Sequence, residues 1–543
     1  MLDLWYKNAV IYCIDVETFQ DGNGDGVGDF AGLIERLDYL EALGVTCIWL
    51  TPFYPTPNRD NGYDVTDFYG VDPRLGTLGD FVNFARAARH RGMRVIVDLV
   101  VNHTSIDHPW FQAARSDPDS PYRDWYVWSK EKPENAEDGV IFPGVQESTW
   151  TWDEQAGEYY FHRFYEHQAD LNIANPAVTE EIHKIMGFWL ELGVVGFRLD
   201  AVPFLIEYTG LDSHPEGDPH EYLTELRRFL SWRKAEAVLL AEANIPMDMA
   251  DEYFGNDDRM TMVFHFMLNQ YLFLGLARGD GRPVVDMLKN TPEIPKTGQW
   301  AHFLRNHDEL DLGRLSDAER EEVFQAFGPD PDMQIYERGI RRRLAPMLGG
   351  DPRRIAMAFS LMFALPGTPV LWYGDEIGMG DDLRQSERHS VRTPMQWNGQ
   401  RNAGFSTAPA DRLIRPVIAD GPFGFPDRNV ELQIDHPDSL LEQVRRMVRE
   451  RRSHPEIGWA ECEIVDLSEP AVVALRQQSP NGSILTLHNF SDRTVEVQPG
   501  LPEGPVRVRR LLADSESNLD GMDRGTVRLA AHGYAWIKLE PRD

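Results

Sequence analysis

At 543 residues the chain is too long for one ordinary domain and divides into about two to four. Its 54 Lys and Arg stand against 87 Asp and Glu, a formal charge of −33 that excludes nucleic acid and anionic membranes as partners and leaves a neutral substrate compatible. No run of about eighteen uncharged apolar residues occurs, so no membrane span is expected.

The N-terminal stretch MLDLWYKNAV lacks the basic-then-apolar layout of a signal peptide, and a cytoplasmic location is the expectation. Cys13, Cys47 and Cys462 are an odd, sparse set with no CxxC pair, which argues against a disulfide framework and against zinc.

In chain order, a helix-like LIERLDYLEALG precedes the apolar run VTCIWL at 45–50, and FVNFARAARHRG precedes MRVIVDLV at 93–100. EIHKIMGFWLELG then leads into VVGFRLD at 194–200, and LTELRRFLSWRK into VLLAEA at 238–243. WAHFLRNHD at 300–308 and TPVLWYGDE at 368–376 complete the series. Continuous apolar runs are the mark of parallel strands buried on both faces. Their alternation with helices predicts about eight βα units, an α/β (β/α)8 TIM barrel.

Two segments break the rhythm. Residues 104–170 are rich in aromatics without a long helical period and read as a small domain inserted after strand three. From 458 onward short runs such as GSILTLHNF and GYAWIKLE predict a C-terminal antiparallel β-sandwich. The expected division is 1–103 and 171–457 for the barrel, 104–170 for the insert and 458–543 for the sandwich.

Polar residues stand where the predicted strands end: Asp98, Asn102 and His103 after strand three, Arg198 and Asp200 on strand four, Glu242 after strand five, His307 and Asp308 after strand seven. The C-terminal ends of barrel strands converge on the active site. Two carboxyl groups on adjacent strands suit a retaining glycosidic mechanism, with Asp200 as nucleophile and Glu242 as acid/base. Arg198, two residues before Asp200, points to the same side and favours its ionised form. Glu242 leaves an apolar run, so desolvation should keep it protonated. Asp308 is placed to bind hydroxyls of a distorted ring, and His103 and His307 to donate to sugar oxygens.

The stretches DLVVNHT, GFRLDAVPF, LLAEAN and FLRNHDE resemble the four conserved regions of the α-amylase superfamily, and QADLN at 168–172 resembles a fifth. The resemblance covers essentially the whole chain and implies the same three roles for Asp200, Glu242 and Asp308. NGYDVTDF, GIRRRLAPML, LPGTPVLWYGDEIGMGDD and VRTPMQWN are similar, more narrowly, to trehalose synthases and their oligo-1,6-glucosidase relatives. That likeness implies an exo-acting pocket whose closed end is formed by Asp64 paired with Arg392. AEANIPMD, YCIDVETF and GLDSHPEGDPHEYL depart from the usual trehalose synthase segments and flank the acceptor side.

DGNGDGVGD at 21–29 spaces Asp21, Asn23, Asp25 and Asp29 so that a glycine-rich loop can wrap a hard cation. Gly32 stands where an EF-hand needs Glu, which rules that motif out. The superfamily resemblance implies a structural Ca²⁺ here, with the Val27 carbonyl as a further ligand. The trehalose synthase resemblance implies a second, held by Asn102, Asp170 and Glu207 with the carbonyls of Phe204 and Leu205. No organic cofactor is expected.

Three readings follow. The first is a trehalose synthase-like isomerase that interconverts maltose and trehalose by intramolecular glucosyl transfer with side hydrolysis. The second is an exo-acting α-glucosidase, or a sucrose-active hydrolase or transglucosidase. The third is a non-catalytic carbohydrate-binding barrel, against which the three intact acids speak. The expected partners are small neutral α-glucosides, namely maltose, trehalose and sucrose, and a homo-oligomer is compatible with the sequence.

Overall fold

The computed structural model describes residues 3–207, 218–479, 482–502, 506–522 and 525–541. Eight parallel strands close a barrel: β1 (Ile11–Ile14), β2 (Cys47–Leu50), β3 (Arg94–Leu99), β4 (Gly196–Leu199), β5 (Val238–Ala241), β6 (Met262–Phe264), β7 (Gln299–Phe303) and β8 (Thr368–Trp372). Neighbours in space follow chain order, and closure comes from β8 against β1, with Ile11 opposite Val370 on one side and Cys47 on the other. Nearly every strand residue is buried, as expected when side chains fill the barrel on one face and meet helices on the other. Neither β1 nor β6 has a counterpart among the apolar runs picked out from the sequence.

The helices between strands start where their sequences supply caps. Thr77 and Asp80 form a reciprocal capping box for Leu78–His90, and Asn175 caps Pro176–Glu191, whose proline sits where no amide partner is needed. Among the described residues no helix is long and apolar enough to cross a membrane.

The inserted segment folds as short antiparallel pieces. His103–Ser105 pairs with Gln168–Asp170, and Trp128–Ser129, Glu158–Phe161 and Trp150–Asp153 form a three-stranded sheet. It also holds the eight-residue helix Pro109–Ser116. After the helix Leu440–Ser453 the chain becomes antiparallel. A five-stranded sheet runs in the order Cys462–Ile464, Val472–Ser479, Gly482–Asn489, Tyr534–Pro541, Val506–Ala513. A second sheet pairs Val495–Val497 with Val527–Leu529, and the apolar faces of the two enclose Leu485, Leu487, Ile537, Val527 and Leu529. The sandwich is tied to the barrel by Ser360, whose hydroxyl accepts from Trp536 Nε1 at 2.9 Å and lies 3.1 Å from His488 Nε2.

Candidate active site

The ends of β3, β4 and β5 are stitched together by the backbone: Asp200 N donates to Leu99 O, Glu242 N to Leu199 O, and Val202 N back to Glu242 O. Asp200 and Glu242 therefore leave adjacent strands side by side. Ala201 adopts φ +52°, a conformation that costs a non-glycine residue of order 1–3 kcal/mol, and its amide donates to Glu242 Oε2 at 3.0 Å. The strained turn holds Asp200 and Glu242 in fixed relation.

Arg198 is the hub. Its Nη1 donates to Asp200 Oδ1 at 2.5 Å and to Asp98 Oδ2 at 3.3 Å, and its Nη2 lies 2.8 Å from Glu242 Oε2. Two carboxylates on neighbouring nitrogens of one guanidinium are close enough for the separation of about 5–5.5 Å that retention requires. Burial pushes Asp200 up to about 6 although Arg198 pulls against it. Burial pushes Glu242 further, to about 7, with Arg198 opposing and Asp200 adding repulsion. The order is the one the chemistry needs: the residue assigned as nucleophile loses its proton before the one assigned as acid.

Asp98, picked out at the end of strand three but given no role from the sequence, is fully enclosed. It accepts from Trp49 Nε1 at 2.7 Å and from the Tyr63 hydroxyl at 2.6 Å, and burial raises it to about 6. The same Tyr63 hydroxyl lies 2.7 Å from His307 Nε2, and the two rings stack at 5.6 Å. His307 Nε2 is also 2.9 Å from Asp308 Oδ2, and burial keeps the imidazole neutral, near 4. Burial would raise Asp308, but His307, Arg388 and Arg392 together carry it well below the ordinary carboxylate range. Asp308 is thus a fixed anion.

Arg392 donates to the His307 carbonyl and to Asp308 Oδ1, at 2.8 and 2.9 Å. It does not meet Asp64, and the expected pairing is corrected. The Asp64 carboxylate is folded onto its own turn, accepting from Thr56 Oγ1, Arg59 N and Asp60 N at 2.8–3.2 Å. The carboxylate that reaches an arginine is Asp60. Arg388 spans the site, one nitrogen 2.9 Å from Asp60 Oδ1 and another 2.9 Å from Asp308 Oδ1. Positive φ at Asn61 and Gly62 reverses the chain between the two acids, and a Cβ at Gly62 would lie 2.7 Å from the Pro52 carbonyl. His103 also differs from expectation. Its Nε2–H is given to the Tyr63 carbonyl at 3.1 Å rather than turned to the pocket, and burial lowers it to about 4.

A cavity of about 700 Å³ opens over Glu242, Asn306, Asp308, Glu309 and Arg388. Glu309, missed by the sequence reading, is pushed up to about 7 by burial. Of the departing segment GLDSHPEGDPHEYL, residues 210–217 lie outside the described residues, while Pro219 and His220 line the cavity.

Among the described residues no group of three or more His, Cys, Asp or Glu side chains is gathered as a metal site. In the 21–29 loop, Asp21 accepts from the amides of Asn23, Gly24 and Gly26, and Asp29 from those of Gly22, Asn23 and Gly32. Asn23 and Asp25 each accept the amide two residues on. Elsewhere a cavity of about 20 Å³ is lined by Asn102, Asp170, Phe204 and Leu205 among others. That volume suits a single small occupant. Burial raises Asp170 to about 7, so its charge is poorly compensated by the protein alone. Glu207 is turned away to Arg163 at 2.7 Å.

This geometry has relatives. The chain is 43% identical to the trehalose synthase of Pimelobacter sp. (strain R48), over 99% of its own length and 96% of that protein's. It is 30% identical to the oligo-1,6-glucosidase of Parageobacillus thermoglucosidasius, over 90% of the chain and 91% of the relative. Isomaltulose synthase from Erwinia rhapontici NX5 superposes with a TM-score of 0.79 at 25% identity, covering all of both chains. The profile of the α-amylase catalytic domain matches residues 13–325 and 341–460, spanning the barrel, the insert and the Arg198-centred carboxylates. With its acids on the strand ends where the sequence motifs put them, the chain belongs to the α-amylase family.

Proposed function

We propose that this enzyme interconverts maltose and trehalose by moving a glucosyl group through an ester on Asp200, with some glucose released. The observation that carries the reading is the single guanidinium of Arg198 bonded to both Asp200 and Glu242. In this mechanism Asp200 attacks C1 of the non-reducing glucose while Glu242 protonates the departing 4-oxygen. The freed glucose then turns and offers its anomeric hydroxyl. Glu242, now a base, takes that proton, and attack on the ester gives an α,α-1,1 linkage with net retention. Asp60 and Arg388 hold the terminal sugar at the blind end of the pocket, and Asp308, kept ionised, binds hydroxyls as the ring flattens. A pocket that excludes water favours transfer over hydrolysis. The 43% identity to a trehalose synthase supports the isomerase reading.

Hydrolysis by an exo-acting α-glucosidase is the second reading, favoured by the likeness to oligo-1,6-glucosidase. Incubation with maltose, sucrose and trehalose, with products followed from the earliest times, decides between the two. Trehalose from maltose supports isomerisation; glucose alone supports the glucosidase.

Structural Ca²⁺ belongs to the same proposal. The loop of Asp21, Asn23, Asp25, Val27 and Asp29 would hold one ion. Asn102, Asp170 and the Phe204 and Leu205 carbonyls would hold another, supported by the small cavity and the raised Asp170. Bound there, calcium would brace loops against the barrel and take no part in bond cleavage. A cytoplasmic setting suits three free cysteines, two of them buried.

A further inference from the structure

The cavity over Glu242 has two chemically distinct parts. Near the acids it is polar. Further out one wall is a chain of rings: Phe164 meets Phe204 edge-on at 5.5 Å, and Phe142 lies 5.9 Å from Phe164. Ile245 and Met249, from the loop after β5, and Phe266, after β6, add apolar surface to the same cavity.

The polar groups that share this outer part are largely spent on one another. Asn244 Nδ2 donates to Asp311 Oδ2 at 2.8 Å, and Arg314 Nη2 donates to the Asn244 carbonyl at 2.6 Å. Arg338 Nη1 donates to the Ile141 carbonyl at 2.8 Å, and Glu207 pairs with Arg163. A polyhydroxylated acceptor extending into this outer region would leave buried hydroxyls unpaired, which is costly. A flat apolar body would instead remove aromatic and aliphatic surface from water, which favours its binding.

We propose that the enzyme also transfers glucose to arylalkyl alcohols, with the aryl body on the Phe164–Phe204–Phe142 wall and the hydroxyl at Glu242. This rests on the glucosyl ester described above and deepens that reading. The acceptor oxygen bonds to C1 as the C1–Asp200 bond breaks. The electron pair returns to the Asp200 carboxylate, and the hydroxyl proton goes to Glu242. With maltose as donor the sum is maltose plus alcohol giving alkyl α-glucoside plus glucose, with no further reactant.

The test incubates the enzyme with maltose and equal concentrations of benzyl alcohol and glycerol, and quantifies each α-glucoside together with trehalose and glucose. Benzyl α-glucoside should exceed glyceryl glucoside at least tenfold. Met249→Asp and Phe204→Ser should each lower the ratio of benzyl glucoside to trehalose plus glucose at least threefold. Maltose consumption with glycerol captured as well as benzyl alcohol, or with neither captured, overturns the inference and leaves the isomerase reading intact. If maltose is not consumed, α-glucosyl fluoride supplies the donor. Fluoride release with benzyl glucoside formed upholds the acceptor assignment while the isomerase reading falls. Fluoride release without benzyl glucoside, or no release at all, overturns the inference.

Discussion

Arg388 holds Asp60 at 2.9 Å through one nitrogen and Asp308 at the same distance through the other. In the proposed mechanism this pair would close one end of the site and hold Asp308 in place as the ring flattens.

Asp60→Ala should therefore weaken sugar binding and transition-state contacts together, lowering kcat/KM on maltose about 10- to 100-fold, the scale of a lost charged hydrogen bond. Asp64→Ala should act mainly on the fold, since it unties three hydrogen bonds of the turn. Its melting temperature should fall by more than that of Asp60→Ala. Steady-state kinetics and thermal melts of the two variants check this; the reverse pattern would restore Asp64 as the sugar ligand.

How much of this was legible in the sequence is shown by that pair. The barrel was readable because strands such as Arg94–Leu99 carry long apolar runs, and Asp200, Glu242 and Asp308 were readable because each follows one. Strand β6 was hidden because Met262–Phe264 is three residues long and runs straight into the helix Phe266–Arg278. Spacing could not tell Asp60 from Asp64, or Arg388 from Arg392. Both acids share one turn that reverses at Asn61 and Gly62, and Arg388 lies within, Arg392 directly after, a single 3-10 turn, Glu387–Val391. Asp98 sat in view inside MRVIVDLV; a carboxylate in so apolar a run is itself a signal. Tyr63 and Glu309 lie next to residues already picked out, and only the folded geometry shows that their side chains enter the site.

The rate should follow a narrow bell in pH. Asp200, near 6, must be ionised and Glu242, near 7, protonated, so kcat/KM should peak between about 6 and 7. Because the two acids share Arg198, the limbs report the pair. A Glu242→Gln variant should lose the alkaline limb on a donor whose leaving group needs no proton. An unchanged alkaline limb there would assign it elsewhere.

The same raised values set a stability trend. Asp200, Glu242 and Asp98 bind protons more tightly folded than unfolded, so above pH 4 the native state holds more protons and stability falls as pH rises towards about 7. Removing one charge at pH 8 should stabilise. Glu242→Gln is expected to melt about 1–3 °C above the parent at pH 8 and to show little gain at pH 4. A lower melting point at pH 8 would contradict the assignment.

Chelation should lower the melting temperature more than it lowers the rate per folded molecule, because the proposed calcium ligands lie off the Arg198 centre. Asp170→Asn should reduce the stabilisation that added Ca²⁺ restores. An unchanged melting temperature after thorough chelation, with no metal found by elemental analysis, would remove both ions from the account.

Asp200→Asn should abolish turnover while the fold survives, since an amide cannot form the glucosyl ester. Near-normal activity in a well-folded variant would move the nucleophile to another residue.

The most direct measurement of the central claim is maltose turnover in buffer containing labelled free glucose. If the freed glucose turns within a closed pocket and is recaptured by the ester on Asp200, early trehalose forms and carries little label. Early products that contain glucose and no trehalose would contradict isomerisation, and trehalose heavily labelled from the buffer would contradict the closed pocket.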